Sequence, residues 1–242
     1  MKPLVLMLVL VASPAFAQFA SEQDRREALL HYRNGQEFMS AEQFEKAADE
    51  YQKAIDKDKL LTLAHYGLGQ ANMSLKRFAS AIQAFTSCRE AFRMLHQLQE
   101  RDRVMVERQR DDEIRELRDS VRRIRSGQIK LSQSIGDQIE NRIQDLERQR
   151  TSMGSAFQAP PEVSLALGSA YFRNGGMQDA EREWKAAVAV NPKLGEAHNN
   201  LAALYAMTGR KSDAEASVKA AEKAGYRVNP RLKEDIRKMS TT

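Results

Sequence analysis

The chain overlays itself at an offset of 34 residues, twice. The stretch HYRNGQEFMSAEQFEKAADEYQKAI, from His31, falls on HYGLGQANMSLKRFASAIQAFTSCR, from His65. Gly35 then matches Gly69, Phe44 matches Phe78, Ala47 matches Ala81, Tyr51 matches Phe85 and Ala54 matches Cys88. Farther on, LALGSAYFRNGGMQDAEREWKAAVAVNP from Leu165 falls on NNLAALYAMTGRKSDAEASVKAAEKAGY from Asn199. Leu167 matches Leu201, Gly168 matches Ala202, Tyr171 matches Tyr205, Gly175 matches Gly209, Ala180 matches Ala214, Trp184 matches Val218 and Ala187 matches Ala221. A period of this length is that of a helix, turn and helix unit, which cannot bury its apolar face alone and must stack on a neighbour. Small residues recur beside large ones in every unit. Where two helices approach closely, Gly or Ala removes bulk and a large neighbour fills the gap. Trp184, the single Trp, is read as such a knob.

The rest of the composition agrees with helix. Ala, Gln, Glu, Arg and Lys dominate, Pro is scarce, and no run of alternating β-branched residues suggests a strand. At the residues just quoted the chain resembles the tetratricopeptide repeat family. In that family's pattern, small residues sit at repeat positions 8, 20 and 27, and bulky ones at 4, 7, 11, 17 and 24. The expected fold is all-α, a helix-turn-helix solenoid interrupted by a long coiled-coil-like helical insert. Asn191-Pro192 ends the second helix of its repeat, because Pro cannot continue it. Two departures stand out. Position 4 holds His31, His65, Ser164 and His198, where a bulky apolar residue is usual. Position 32 is Lys59, Arg93 and Tyr226 in the three repeats other than that of Pro192.

Between Arg93 and the Pro160-Pro161 pair lies a stretch, residues 95–154, without Pro and rich in Arg, Gln and Glu, expected to be long helix. Its apolar residues are spaced three and four apart: Ile114, Leu117, Val121 and Ile124, then Leu131 and Ile135, then Ile139, Ile143 and Leu146. Such a narrow seam is a coiled-coil pattern. Two arrangements fit it. In one, Ser126-Gly127 is a bend and the halves fold back as an antiparallel hairpin, which returns Pro161 near Arg93. In the other, the helix runs through Gly127 and pairs with other chains. Arg118, Arg122, Arg123 and Arg125 form a basic cluster, read as a solvated face because Glu116 and Asp119 lie close by.

Residues 1–17, MKPLVLMLVLVASPAFA, read as a secretory signal peptide: Lys2, an apolar run from Leu4 to Val11, Pro14, and a small-x-small site with cleavage after Ala17. The apolar run is far short of the ~20 residues of a spanning helix, and no later stretch reaches that length. The expected location is therefore periplasmic or secreted, with no membrane span after cleavage. Cys88 is the only cysteine and is expected to be a buried small hydrophobe. The formal net charge of +5 is spread over 38 basic and 33 acidic residues, interleaved as on a solvated helical surface. No nucleic-acid footprint is read from it. The expected organisation is a signal peptide over 1–17, a first repeat pair over 18–95, the insert over 96–158, a second pair over 159–226, and a capping helix and tail over 227–242.

No nucleophile constellation, phosphate loop or paired carboxylates stand out, so no catalytic residue, cofactor or metal is assigned. The histidines at position 4 lie one repeat apart, whereas zinc needs three or four ligands about 2 Å from one ion. The resemblance implies instead that the first helices of successive repeats line a concave groove. The expected partner-binding residues are Tyr32, Gln36 and Met39; Tyr66, Gln70 and Met73; Leu165, Phe172 and Arg173; and Asn199. Tyr and Met offer apolar contact, and Gln can bond a peptide backbone. Some relatives clamp a terminal carboxylate with basic residues and Asn. Here those positions hold Tyr32, Gln36, Glu162 and Ala166, so that clamp is absent. The expected function is a non-enzymatic scaffold for a protein or peptide partner in envelope assembly. The alternative is a structural protein that forms homo-oligomers through the insert.

Overall fold

The computed structural model describes residues 20–127, 133–148 and 156–239. The leader expected over 1–17 and Leu131 of the expected seam lie outside them. The described residues form ten helices: α1 Glu22–Ser40, α2 Phe44–Lys57, α3 Thr62–Ser74, α4 Phe78–Arg125, α5 Gln133–Arg148, α6 Pro161–Arg173, α7 Met177–Val190, α8 Gly195–Met207, α9 Lys211–Lys223 and α10 Pro230–Lys238. They divide into two units, one within residues 1–92 and 158–242 and one within residues 93–157.

The first unit is a stack of four helical pairs, α1–α2, α3 with the start of α4, α6–α7 and α8–α9. Within each pair the turn is the same. The residue two before the second helix has a left-handed backbone: Glu42 at φ 54°, Lys76 at 58°, Gly175 at 86° and Gly209 at 75°. The next amide donates five residues back, from Gln43, Arg77, Gly176 and Arg210 to the carbonyls of Phe38, Asn72, Tyr171 and Tyr205, at 2.8–2.9 Å. This bond satisfies a carbonyl that the ending helix leaves free. The last two turns use Gly for the left-handed residue, and the first two use Glu and Lys.

Between pairs, the turns after α2 and α7 also match. The side chains of Asp58 and Asn191 accept from the amides two residues on, Leu60 at 3.0 Å and Lys193 at 3.1 Å. The ring Nε2 of His65 lies 2.9 Å from the Lys59 carbonyl, and that of His198 lies 3.0 Å from the Pro192 carbonyl. A carbonyl only accepts, so Nε2 carries the proton in both. These two position-4 histidines thus cap the turn that precedes their own helix.

Close approach runs through the first three pairs. A Cβ on Gly35 would lie 2.6 Å from the Tyr51 ring, and one on Gly168 would lie 2.6 Å from Trp184 Cδ1. Gly69 is closed off in the same way by Phe85. Trp184 is 2 % exposed, and its Nε1 donates to the Leu165 carbonyl at 3.2 Å. Its burial is worth about 2–3 kcal/mol. The fourth pair has the smaller Val218 at this position. There α10 brings in Ile236, buried in one cluster with Leu201, Leu204 and Tyr205.

The second and third pairs are separated by the insert in sequence but are packed together. Phe85 of α4 shares a buried cluster with Leu167 and Ala170 of α6, and Tyr66 and Met73 of α3 pack on its edge. Arg89 of α4 bonds both carboxylate oxygens of Glu183 of α7, at 3.0 and 3.1 Å.

In the second unit, α4 continues to Arg125 and the chain turns at Ser126-Gly127, where Gly127 has φ 74°. α5 returns antiparallel. Ile114 of α4 is buried with Ile143 and Leu146 of α5, flanked by Leu117, Val121 and Ile139. Ion pairs between the two helices join Arg118 to Glu147, Arg125 to Glu140 and Arg142 to Glu113. Of the two arrangements open to the sequence, the hairpin is the one formed, and Ile114, Ile143 and Leu146 of the seam are buried within the chain. Among the described residues no helix is long and apolar enough to cross a membrane.

Candidate functional site: the concave face of the repeat unit

The first helices α1, α3, α6 and α8 carry the residues expected to meet a partner. On α1, Tyr32 is half-buried with its ring 5.8 Å from that of Tyr51, and its hydroxyl accepts from Gln36 Nε2 at 2.9 Å. Gln36 is exposed, and Met39 is half-buried against the Ala47–Tyr51 cluster. On α3, Tyr66 lies 5.4 Å from Phe85, Gln70 is exposed, and Met73 reaches toward α6. On α6, Leu165 and Phe172 pack on the Trp184 cluster, the Phe172 ring 5.6 Å from the indole, and Arg173 is exposed.

A cleft of about 440 Å³ lies across α3, α6 and α8. Its apolar lining comes from Met73, Phe172, Ala203 and the edge of Trp184. Its polar rim comes from Arg173 of α6 and from Glu196 and Asn200 of α8, with Ser169 beside them. The space exists because Ser169 and Ala203 are small where the first two repeats carry Gln36 and Gln70. The structure therefore brings Met73, Phe172 and Arg173 together in one cleft. Asn199 is half-buried on α8, and its neighbour Asn200 lines the cleft. Tyr32, Gln36 and Met39 sit together on α1, apart from this cleft.

The electrostatics of this face are uneven. Burial raises the Tyr66 hydroxyl above its ordinary pKa, and the nearby Cys88, Glu162 and Glu196 raise it further. Glu162 and Glu196 lie in the first turns of α6 and α8, and Glu196 lines the cleft. Arg173 closes the last turn of α6 and lines the same cleft as a cation. Cys88 is fully buried, donates to the Thr62 carbonyl at 3.3 Å, and is pushed up to about 12 by burial. It is a packing residue under α3, and its thiol does not reach the groove. Among the described residues no three His, Cys, Asp or Glu side chains gather as metal ligands would.

The family model described as tetratricopeptide repeat matches residues 32–92 and 165–227, just over half of the chain. The chain belongs to the tetratricopeptide repeat family. Both matched regions fall on helical pairs, and the gap between them is the hairpin insert. Among solved structures, MamA is similar over 84 % of this chain and 81 % of that one, at 14 % identity and a TM-score of 0.53. PilW, titled a widely conserved type IV pilus biogenesis factor, is 15 % identical over 91 % of this chain and 87 % of its own, with a TM-score of 0.41. A tetratricopeptide repeat protein of Thermus thermophilus is 18 % identical over 87 % of this chain and 97 % of its own, with a TM-score of 0.36. At these identities the likeness concerns the fold alone. No curated protein matches the chain.

The cleft residues that sequence reasoning passed over are Trp184 and Asn200. Two signals pointed to them. One was the loss of Gln at position 9 in the last two repeats. The other was the single Trp standing directly behind that position.

Proposed function

We propose that this tetratricopeptide repeat protein is an exported, non-enzymatic scaffold that holds a segment of a partner protein in its concave groove. The observation that carries the reading is the cleft shared by α3, α6 and α8. It joins apolar lining to a polar rim, and its walls come from repeats on both sides of the insert. That mixture suits an extended peptide, whose backbone needs bonding partners and whose side chains need pockets. Export rests on the leader read over residues 1–17, and a place in the cell envelope follows from export. The hairpin serves as a spacer. Self-assembly through the insert is the less favoured reading, because Ile114, Ile143 and Leu146 already pair within one chain.

The test is capture from the native envelope with protein starting at Gln18, beside an Ala203→Arg variant that fills the cleft. Both must show the same helicity and thermal transition. A partner retained by the first and lost by the second supports the groove. Identical recoveries from both baits overturn it.

A further inference from the structure

The apolar seam of α4 stops partway along the helix. Ile114, Leu117, Val121 and Ile124 follow one another at alternating steps of three and four residues. Continued toward the N-terminus with the same alternation, the line falls on Arg110, Glu107, Arg103, Glu100 and His96. All of these are half-buried, whereas most of their neighbours are exposed, so the inward line of α4 is charged here and apolar at the hairpin tip. Arg103 is held between Glu100, at 2.8 Å, and Glu107, at 2.7 Å, one turn to either side on the same helix. Two nitrogens on the line, His96 Nε2 and Arg110 Nη1, are buried without a hydrogen-bond partner among the described residues. The apolar residues of the stretch lie off the line: Val104, Met105 and Val106 are exposed.

Without an apolar seam, a helix keeps only its propensity and its own ion pairs. Pairs three or four residues apart add little and are screened by salt. Half-buried charges and unpartnered nitrogens oppose closure of the line. On both sides of the stretch the same helix is anchored, by Phe85 in its cluster with Leu167 and Ala170, and by Ile114 with Ile143 and Leu146. We infer that residues 96–110 are a joint built into α4. The joint opens while the helix on either side stays closed, which breaks the continuity of α4 without unfolding the repeats or the hairpin tip. Ionic strength sets the opening, because the ladder of Glu100, Arg103 and Glu107 holds the stretch closed.

Amide hydrogen exchange of the full chain from Gln18, read by mass spectrometry on peptic fragments, tests the joint. At low salt the amides of residues 96–110 should exchange on the order of tenfold faster than those of 81–88 and of 114–124. High salt should widen that gap. Arg103→Gln removes both rungs of the ladder, so it should widen the gap at low salt and abolish its response to salt. Arg101→Gln, off the line and exposed, should leave gap and response as in wild type. The flanking fragments report any general loss of fold in a variant. If residues 96–124 exchange together, the hairpin opens as one body and the joint is overturned. It is overturned equally if residues 96–110 exchange as slowly as both flanks. A gap that neither salt nor Arg103→Gln alters would overturn the ionic control.

Discussion

Arg89 and Glu183 lie 94 positions apart and form a two-pronged ion pair between the second helices of adjacent repeats. The Glu183 side chain is 6 % exposed and that of Arg89 is 25 % exposed. The pair clasps the junction where the insert has displaced the ordinary inter-repeat turn. At the two junctions without an insert, Asx turns and histidine caps set the step between repeats. At this one, the junction depends on Arg89, Glu183 and the Phe85–Leu167 cluster.

Arg89→Ala should therefore lower stability by about 2–4 kcal/mol, since it leaves Glu183 buried without its partner. The double variant Arg89→Met, Glu183→Leu should recover most of that loss. Urea unfolding of wild type, the single variant and the double variant checks this. A double variant as unstable as the single one would show that the clasp contributes more than the cost of an orphaned charge.

The left-handed turn residues give the opposite sign. Glu42→Gly and Lys76→Gly place at the first two turns the residue that the last two already use. Each should stabilise by about 0.5–1 kcal/mol, because Gly escapes the Cβ clash that other residues meet at positive φ. Gly175→Ala should cost a similar amount. Thermal unfolding midpoints of the three variants measure this directly.

Gly168→Ala tests the packing of the single Trp. The added methyl would lie 2.6 Å from Trp184 Cδ1 and Nε1 and cannot be placed without moving the indole. A loss of about 1–3 kcal/mol is expected, together with a shift in tryptophan emission. Gly136→Ala, where a Cβ meets nothing within 4 Å, is the control and should show neither effect.

Acid should weaken the first repeat through Glu50. Its carboxylate accepts from Lys53 Nζ at 2.6 Å, from His31 Nδ1 at 2.8 Å and from Asn34 Nδ2 at 3.2 Å. The bonds from Lys53 and His31 hold its pKa at about 2, against an ordinary 4.5. A pKa lowered by folding adds stability above the unfolded value, and that stability is lost as pH falls toward the folded one. The contribution of Glu50 is thus full above about 4.5 and drains away between 4.5 and about 2. Glu50→Gln should be less stable than wild type at neutral pH and should converge with it across that window. Denaturation midpoints measured as a function of pH would show the convergence.

The hairpin should unfold separately. α5 has 16 residues, and an isolated helix of about that length is marginal in water. Ile143→Ser removes the centre of its described apolar contact with Ile114 and Leu117. Helicity by circular dichroism should fall by about the share of α5, while the tryptophan transition of the repeat unit stays in place.

The helical repeats were legible because their period is long and their small-to-large pairing is strict. Gly35 with Tyr51 and Gly168 with Trp184 are visible as residue types before any contact is known, since close helix approach leaves few alternatives. Gly175 and Gly209 announced two of the left-handed turns. Glu42 and Lys76 did not, because tertiary packing imposes that conformation on residues with no preference for it.

The sequence by itself determined the all-helical repeat fold, the knob of Trp184 and the order of first and second helices in each repeat. Only the tertiary structure decided between a folded-back and a continuous insert. The seam spacing of Ile114, Ile143 and Leu146 satisfies either pairing, and a single Gly at 127 costs a helix only about 1 kcal/mol. It alone also joined Met73 to Phe172 and Arg89 to Glu183. These meetings depend on where the chain returns after the insert, and local spacing carries no record of that distance.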